Sequence, residues 1–149
     1  MDPSTMSTEQ RNELNRQVAE QFRAQRGSGK IGEMMHADRM LLLTHTGARS
    51  GTRRTTPMGF WRLDGDRVMV VASNMGAPRH PDWFHNIVAH PDVTVELGPD
   101  TYPAVANVLD ASEHDRLWPL LLEQAPFFAQ HQERTDRVIP LVELRRRTD

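Results

Sequence analysis

A chain of 149 residues with 18 basic and 20 acidic side chains, formal net charge −2, is the length of one domain and can bury about 70% of the surface its unfolded form exposes. With 38% hydrophobic residues, no apolar run near the ~18 residues of a membrane span and a polar opening MDPSTMSTEQRNEL, the sequence argues against a spanning helix and a signal peptide and predicts a cytoplasmic protein. It has no cysteine, which excludes disulfides, thiolate catalysis and Cys-ligated zinc, so redox chemistry here requires a bound cofactor.

Residues 1–13 read as a flexible leader, and helix signals extend over residues 7–26. Ser7-Thr8-Glu9-Gln10 has capping-box spacing, and Leu14, Val18 and Phe22 recur four apart on one face. Residues 27–39 read as a loop. Residues 40–46 (MLLLTHT) and 53–63 (RRTTPMGFWRL) read as two strands around the turn GARSGT, and residues 67–73 (RVMVVAS) follow the tight turn Asp64-Gly65-Asp66. Pro81-Asp82 starts a short helix that ends before Pro91. Strands are expected at 93–97 and 101–109, then a helix in which Leu117, Leu120, Leu121 and Gln124 share a face, a second helix at 127–134, and a closing strand at 138–144. The order α-β-β-β-α-β-β-α-α-β, with short hairpins, predicts one α+β or mainly β domain: a six-stranded antiparallel barrel with peripheral helices.

The turn GARSGTRRTTP gathers Arg49, Arg53 and Arg54 with Gly47, Gly51, Ser50, Thr52, Thr55 and Thr56. Such a turn can offer N–H groups, hydroxyls and guanidinium forks to one anion, or it can be a solvated hairpin tip. Lys30 is the only lysine, so Arg dominates every basic cluster, and Arg79 adds a further cation in the loop NMGAPRHP. His80, His85 and His90 are five apart and do not form an HExxH face, so no metal is expected. Ser50 and Ser73 lack a GxSxG elbow. Asp82, Trp83, His85 and Asn86 could wall a planar ligand from a short helix; alternatively Trp83 and Ile87 anchor that helix to the barrel.

Taken together, TxTGARSGTRRTTP, DGDRVMVVAS, GAPRHPDWFHNIVAHPDVTVELG and RTDRVIP resemble the deazaflavin-dependent nitroreductase family, the coenzyme F420-dependent quinone reductases and nitroreductases, over residues 21–144. The resemblance implies a split β-barrel related to flavin-binding oxidoreductases. It also implies coenzyme F420, an 8-hydroxy-5-deazaflavin with a ribityl phosphate and a glutamate tail. By motif position, Ala48, Arg49, Ser50, Arg54, Thr55, Thr56, Pro57 and Met58 hold the phosphate and line the groove. Val71, Ala72, Ser73 and Asn74 approach the ring, and Trp83, Phe84, His85 and Asn86 complete the cofactor site. Relatives often carry Lys where this chain has Asn74 or Met75, a loss that Arg79 offsets.

The implied activity is transfer of the C5 hydride of the reduced deazaflavin to a quinone-like, nitroaromatic or other flat, electron-poor acceptor. Relatives place tyrosines near the substrate where this chain has Ala125, Phe128 and His131, so those three are the expected acceptor wall. The candidate catalytic groups are Ser73, through its N–H or hydroxyl, and His131 as proton donor. The alternatives are a non-catalytic deazaflavin or hydrophobic-ligand binding protein, and an oxidoreductase that uses FMN. The partners implied are a small-molecule acceptor, peripheral membrane proximity through a lipophilic quinone, and a homodimer; net charge −2 and the lack of a reader motif argue against nucleic acid.

Overall fold

Seven strands curl into one antiparallel sheet in the order β4-β3-β7-β8-β9-β6-β5, as a computed structural model describing residues 6–33 and 35–148 shows. They are β3 (Met40–Thr46), β4 (Arg53–Gly59), β5 (Trp61–Leu63), β6 (Arg67–Val71), β7 (Asp92–Leu97), β8 (Asp100–Val108) and β9 (Leu141–Arg146). Ahead of them, α1 (Thr8–Ala24) is followed by a separate ladder of β1 (Lys30–Ile31) and β2 (Met35–His36), inside the segment expected to be a loop.

The expected six strands are therefore seven in the main sheet. The stretch 53–63 is not one strand: up to Gly59 it pairs with β3, and from Trp61 it pairs with β6. The chain turns a corner at Phe60, so its two halves become opposite edges of the sheet. Gly59 permits the corner, since a Cβ there would lie 3.0 Å from the Trp61 ring. Because β4 and β5 do not pair with each other, the result is a half-barrel rather than a closed one. The closing strand starts at Leu141, not at residue 138. Pro140 has no N–H for the ladder, and the Ile139 N–H is taken by Gln132 Oε1 at 3.0 Å.

The strand alternation fills both faces. Leu41, Leu43, Val68, Val70, Val93, Val95, Ala104, Ala106, Val142 and Leu144 form the inner core, which α2 (Asp82–Ala89) covers with Phe84 and Ile87. On the other face Leu63, Met69 and Leu141 meet Leu117 and Leu121 of α3 (Ala111–Gln124) and Phe128 of α4 (Phe127–Glu133). Leu120 and Gln124, expected on the same stripe, lie at its exposed rim. The capping box forms: the Gln10 N–H donates to Ser7 Oγ at 3.1 Å and the Ser7 N–H to Gln10 Oε1 at 2.9 Å. Val18, Ala19 and Phe22 of α1 then pack on Ile31, Ala37, Met40 and Leu42. Of the expected leader, residues 1–5 lie outside the described residues, and residues 8–13 are the exposed first turns of α1. Among the described residues no helix is long and apolar enough to cross a membrane.

Candidate functional site

The β3–β4 hairpin ends in a turn closed by the Gly47 N–H on Thr52 O at 2.8 Å and the Gly51 N–H on Gly47 O at 3.0 Å. A chain of hydrogen bonds ties this tip to α2. The Ala48 N–H donates to Asn86 Oδ1 at 2.9 Å, Asn86 Nδ2 donates to His45 Nδ1 at 3.0 Å, and His45 Nε2 donates to Thr56 Oγ1 at 2.8 Å. Because Nδ1 accepts from an amide, the ring proton of His45 sits on Nε2. His45 is buried, and burial, reinforced by the Arg54 charge and opposed by Asp82, brings its pKa down to about 4. The imidazole is therefore neutral at physiological pH, as its accepting Nδ1 requires.

At that tip Arg49 and Arg54 are exposed and make no ion pair among the described residues. Ser50 Oγ accepts the Thr52 N–H at 3.1 Å, leaving its own hydrogen to donate. Thr55 is bonded to Thr44 at 2.8 Å. Arg53 is turned away from the other two, since its Nη2 reaches across β3 to Thr94 Oγ1 on β7 at 3.2 Å. Pro57 and Met58 continue the strand, half-buried, and also line a groove of about 440 Å³ against Leu14, Val18, Met35 and Met40.

The second part of the site follows β6. Ala72 is fully buried and Ser73 nearly so, after which the backbone turns through Asn74 (φ 48), Met75 (φ 55) and Gly76 (φ 79). Left-handed backbone at two non-glycine residues is strained, and it persists because both sides hold it. On one side Gly76 abuts α4 so closely that a Cβ would lie 2.6 Å from His131 O. On the other, Arg137 Nη1 donates to Ala72 O at 3.1 Å, Nη2 to Ser73 O at 2.6 Å and Nε to Ala77 O at 2.9 Å, with His80 Nδ1 accepting from Nη1 at 3.0 Å. Ser73 Oγ lies 3.3 Å from His131 Nδ1, so the two candidate catalytic groups meet. Burial and then the Arg134 charge lower the His131 pKa. Among the described residues the Ser73 N–H has no acceptor.

The remaining expected residues divide by exposure. Val71 is half-buried against the outer core, whereas Ala72 and Phe84 are buried and support the site from behind. Trp83 is half-buried against the inner core, His85 is exposed, and Asn74 Nδ2 donates to Arg79 O at 3.0 Å. His80 precedes α2 rather than lying on it, so its ring comes within 5.7 Å of His85 despite the five-residue spacing.

The three residues of the expected acceptor wall differ in burial. Ala125 and Phe128 are core residues, 1% and 4% exposed, and Phe128 packs edge-on against Trp61 at 5.0 Å. A step of one residue turns a helix by about 100°, and the neighbour Phe127 is the ring that α4 presents outward, 47% exposed and 5.6 Å from His131. His131 is half-buried, with its Nδ1 beside Ser73 Oγ. The reading of sequence also passed over His45 and Arg137. A single His inside a strand and an Arg in a loop carry no spacing signal, although RTDRVIP stood out as a motif.

A family model described as F420H(2)-dependent quinone reductase matches residues 14–145. An F420H(2)-dependent quinone reductase of Mycobacterium tuberculosis is 40% identical over 124 residues, spanning 80% of this chain and 83% of its own. Among solved structures, an F420-H2 dependent reductase superposes with TM-score 0.63 at 36% identity, over 71% of this chain and 93% of that one. A second, described as a domain-swapped dimer, gives TM-score 0.66 at 32% identity over 89% and 97%.

Proposed function

The chain belongs to the F420H(2)-dependent quinone reductase family, and from that membership we propose how its residues divide the work of the reaction. The protein is an oxidoreductase whose cofactor is coenzyme F420 and whose acceptor is a quinone. The donor set fits the coenzyme: two arginines without an ion pair among the described residues, the Ser50 hydroxyl hydrogen and the turn N–H groups of Arg49 and Ser50 suit a phosphate and carboxylate tail, and the Ser73 rim suits a ring edge with hydrogen-bond acceptors. When bound in its reduced form, the coenzyme supplies the hydride.

Arg49, Ser50 and Arg54 hold the anionic tail, with Ala48, Thr55, Thr56, Pro57 and Met58 shaping the groove. Asn86 and His45 keep that tip in register with α2, where Trp83 and His85 close the far wall and the buried Phe84 backs it. Val71, Ala72 and Asn74 form the backbone edge on which Ser73 directs its N–H and hydroxyl. Phe127 and His131 face the acceptor, the first by apolar contact and the second as the group within reach of its oxygen. Arg79 supplies positive charge in place of the family's lysine. The observation that carries this reading is the meeting of Ser73 and His131 at 3.3 Å beside an N–H with no acceptor among the described residues.

The homodimer belongs to the same reading. It is supported by the relative solved as a domain-swapped dimer and by the two open edges of the sheet. Titrating the coenzyme into the protein and following its fluorescence tests the tail site. Arg54→Ala should weaken binding by about 1–3 kcal/mol, the scale of a lost charge-assisted hydrogen bond, with the melting temperature nearly unchanged. An unaltered affinity removes Arg54 from the site.

A further inference from the structure

The motif RTDRVIP has no role in the reaction as proposed so far, yet its second arginine makes four hydrogen bonds to the loop that carries Ser73. Arg137 is half-buried and spends all three of its nitrogens on one loop, donating to the carbonyls of Ala72, Ser73 and Ala77 and to His80 Nδ1 at 2.6–3.1 Å. Those carbonyls flank the turn whose left-handed residues, Asn74 and Met75, would relax if released. Among the described residues no carboxylate pairs with Arg137, whereas Arg67, Arg116 and Arg145 all have one. A half-buried cation bound only by neutral acceptors is costly unless its charge or its geometry is used.

We propose that Arg137 is the positioning residue of the acceptor site: its guanidinium fixes the carbonyls around Ser73, so that the Ser73 N–H and hydroxyl stay aimed at the bound ring and acceptor over an unneutralised positive charge. The proposal rests on the quinone reductase reading. In that reaction a quinone gains a hydride from the reduced coenzyme and a proton from water, and its oxygen is negative between the two events. A fixed donor backed by positive charge favours that moment over the neutral ground state. Arg137 touches neither reactant; it acts through Ser73. A lysine keeps the charge but cannot span three carbonyls at once, because its ammonium is a single point on a flexible stem.

The experiment compares wild type, Arg137→Lys, Arg137→Gln, Ser73→Ala and the double variant Arg137→Gln with Ser73→Ala. Each is read by steady-state oxidation of the reduced coenzyme with menadione, by coenzyme titration, by thermal melting and by hydrogen exchange of residues 73–77. Arg137→Gln should lower kcat by about tenfold or more while changing coenzyme affinity by less than about threefold, and Arg137→Lys should recover part of the loss. Exchange in 73–77 should rise in both variants without coenzyme present. Adding Ser73→Ala to Arg137→Gln should cost less than about twofold further, since the two act as a unit.

Unchanged exchange in 73–77 in a folded Arg137→Lys or Arg137→Gln protein overturns the proposal. So do kinetic losses that multiply in the double variant, or a melting temperature that falls with kcat intact. If wild type itself fails to oxidise the coenzyme, the quinone reductase reading is what has failed; the exchange data still decide whether Arg137 holds the loop.

Discussion

Phe127 and Phe128 are adjacent, chemically identical and opposite in consequence. Removing Phe128, which fills the space beneath Trp61, should cost about 3–5 kcal/mol as a cavity and lower the melting temperature, with KM for the quinone little changed in the folded fraction. Removing Phe127 should do the reverse, raising KM for menadione several-fold with a small stability loss. Kinetics and melts on the two alanine variants check both. The sequence did not separate them, because Phe128 was placed by its match to a tyrosine position of relatives, and a motif position does not say which of two adjacent rings a seven-residue helix turns outward.

His45 makes a prediction about pH. Its pKa falls from 6.5 in the ordinary state to about 4 in the fold, so as pH drops below 6.5 the unfolded chain takes the proton first. Its contribution is complete above pH 6.5, declines between 6.5 and about 4, and is lost below, a change of roughly 3 kcal/mol. Urea unfolding at pH 7, 5 and 4 should show this loss, and a folded His45→Gln variant should show it reduced. A parallel pH profile in wild type and variant would remove His45 as the source.

At the level of elements, the turn after β6 and the start of α1 behave differently. Gly76 combines φ 79 with a Cβ position 2.6 Å from His131 O and 2.9 Å from Arg134 Cβ, so Gly76→Ala must shift α4 and should cost more than about 1 kcal/mol. Because α4 carries His131 and Phe127, kcat should fall along with stability, and a melt paired with an assay reads both. Deleting residues 1–13 removes the Ser7 cap but none of Val18, Ala19 and Phe22, so coenzyme affinity should hold while the melting temperature drops slightly. Lost affinity would mean that this segment covers the site. Most elements were legible from patterning: the capping box, the apolar run of 40–46, the Pro81-Asp82 helix start. The corner at Phe60 was not, since an extended pattern runs through it unbroken and only the choice of partner, β3 or β6, divides the two strands.

Across the whole molecule, α2 spans the distance between two half-sites that the sequence kept far apart. Asn86 reaches the hairpin tip, and His80, just ahead of α2, reaches Arg137 and through it the Ser73 loop. The residues of the cofactor motifs were legible one by one, but their linkage was not, because it runs through His45 and through backbone carbonyls that a sequence does not display. Turnover separates a reductase from a carrier most directly. Mixed with reduced coenzyme F420 and menadione, the purified protein should oxidise the coenzyme in stoichiometric exchange for hydroquinone, and should do so far more slowly when reduced FMN replaces it. Tight binding of the coenzyme with no oxidation would make the chain a carrier, and preferential turnover with FMN would give it a different cofactor; either result contradicts the account.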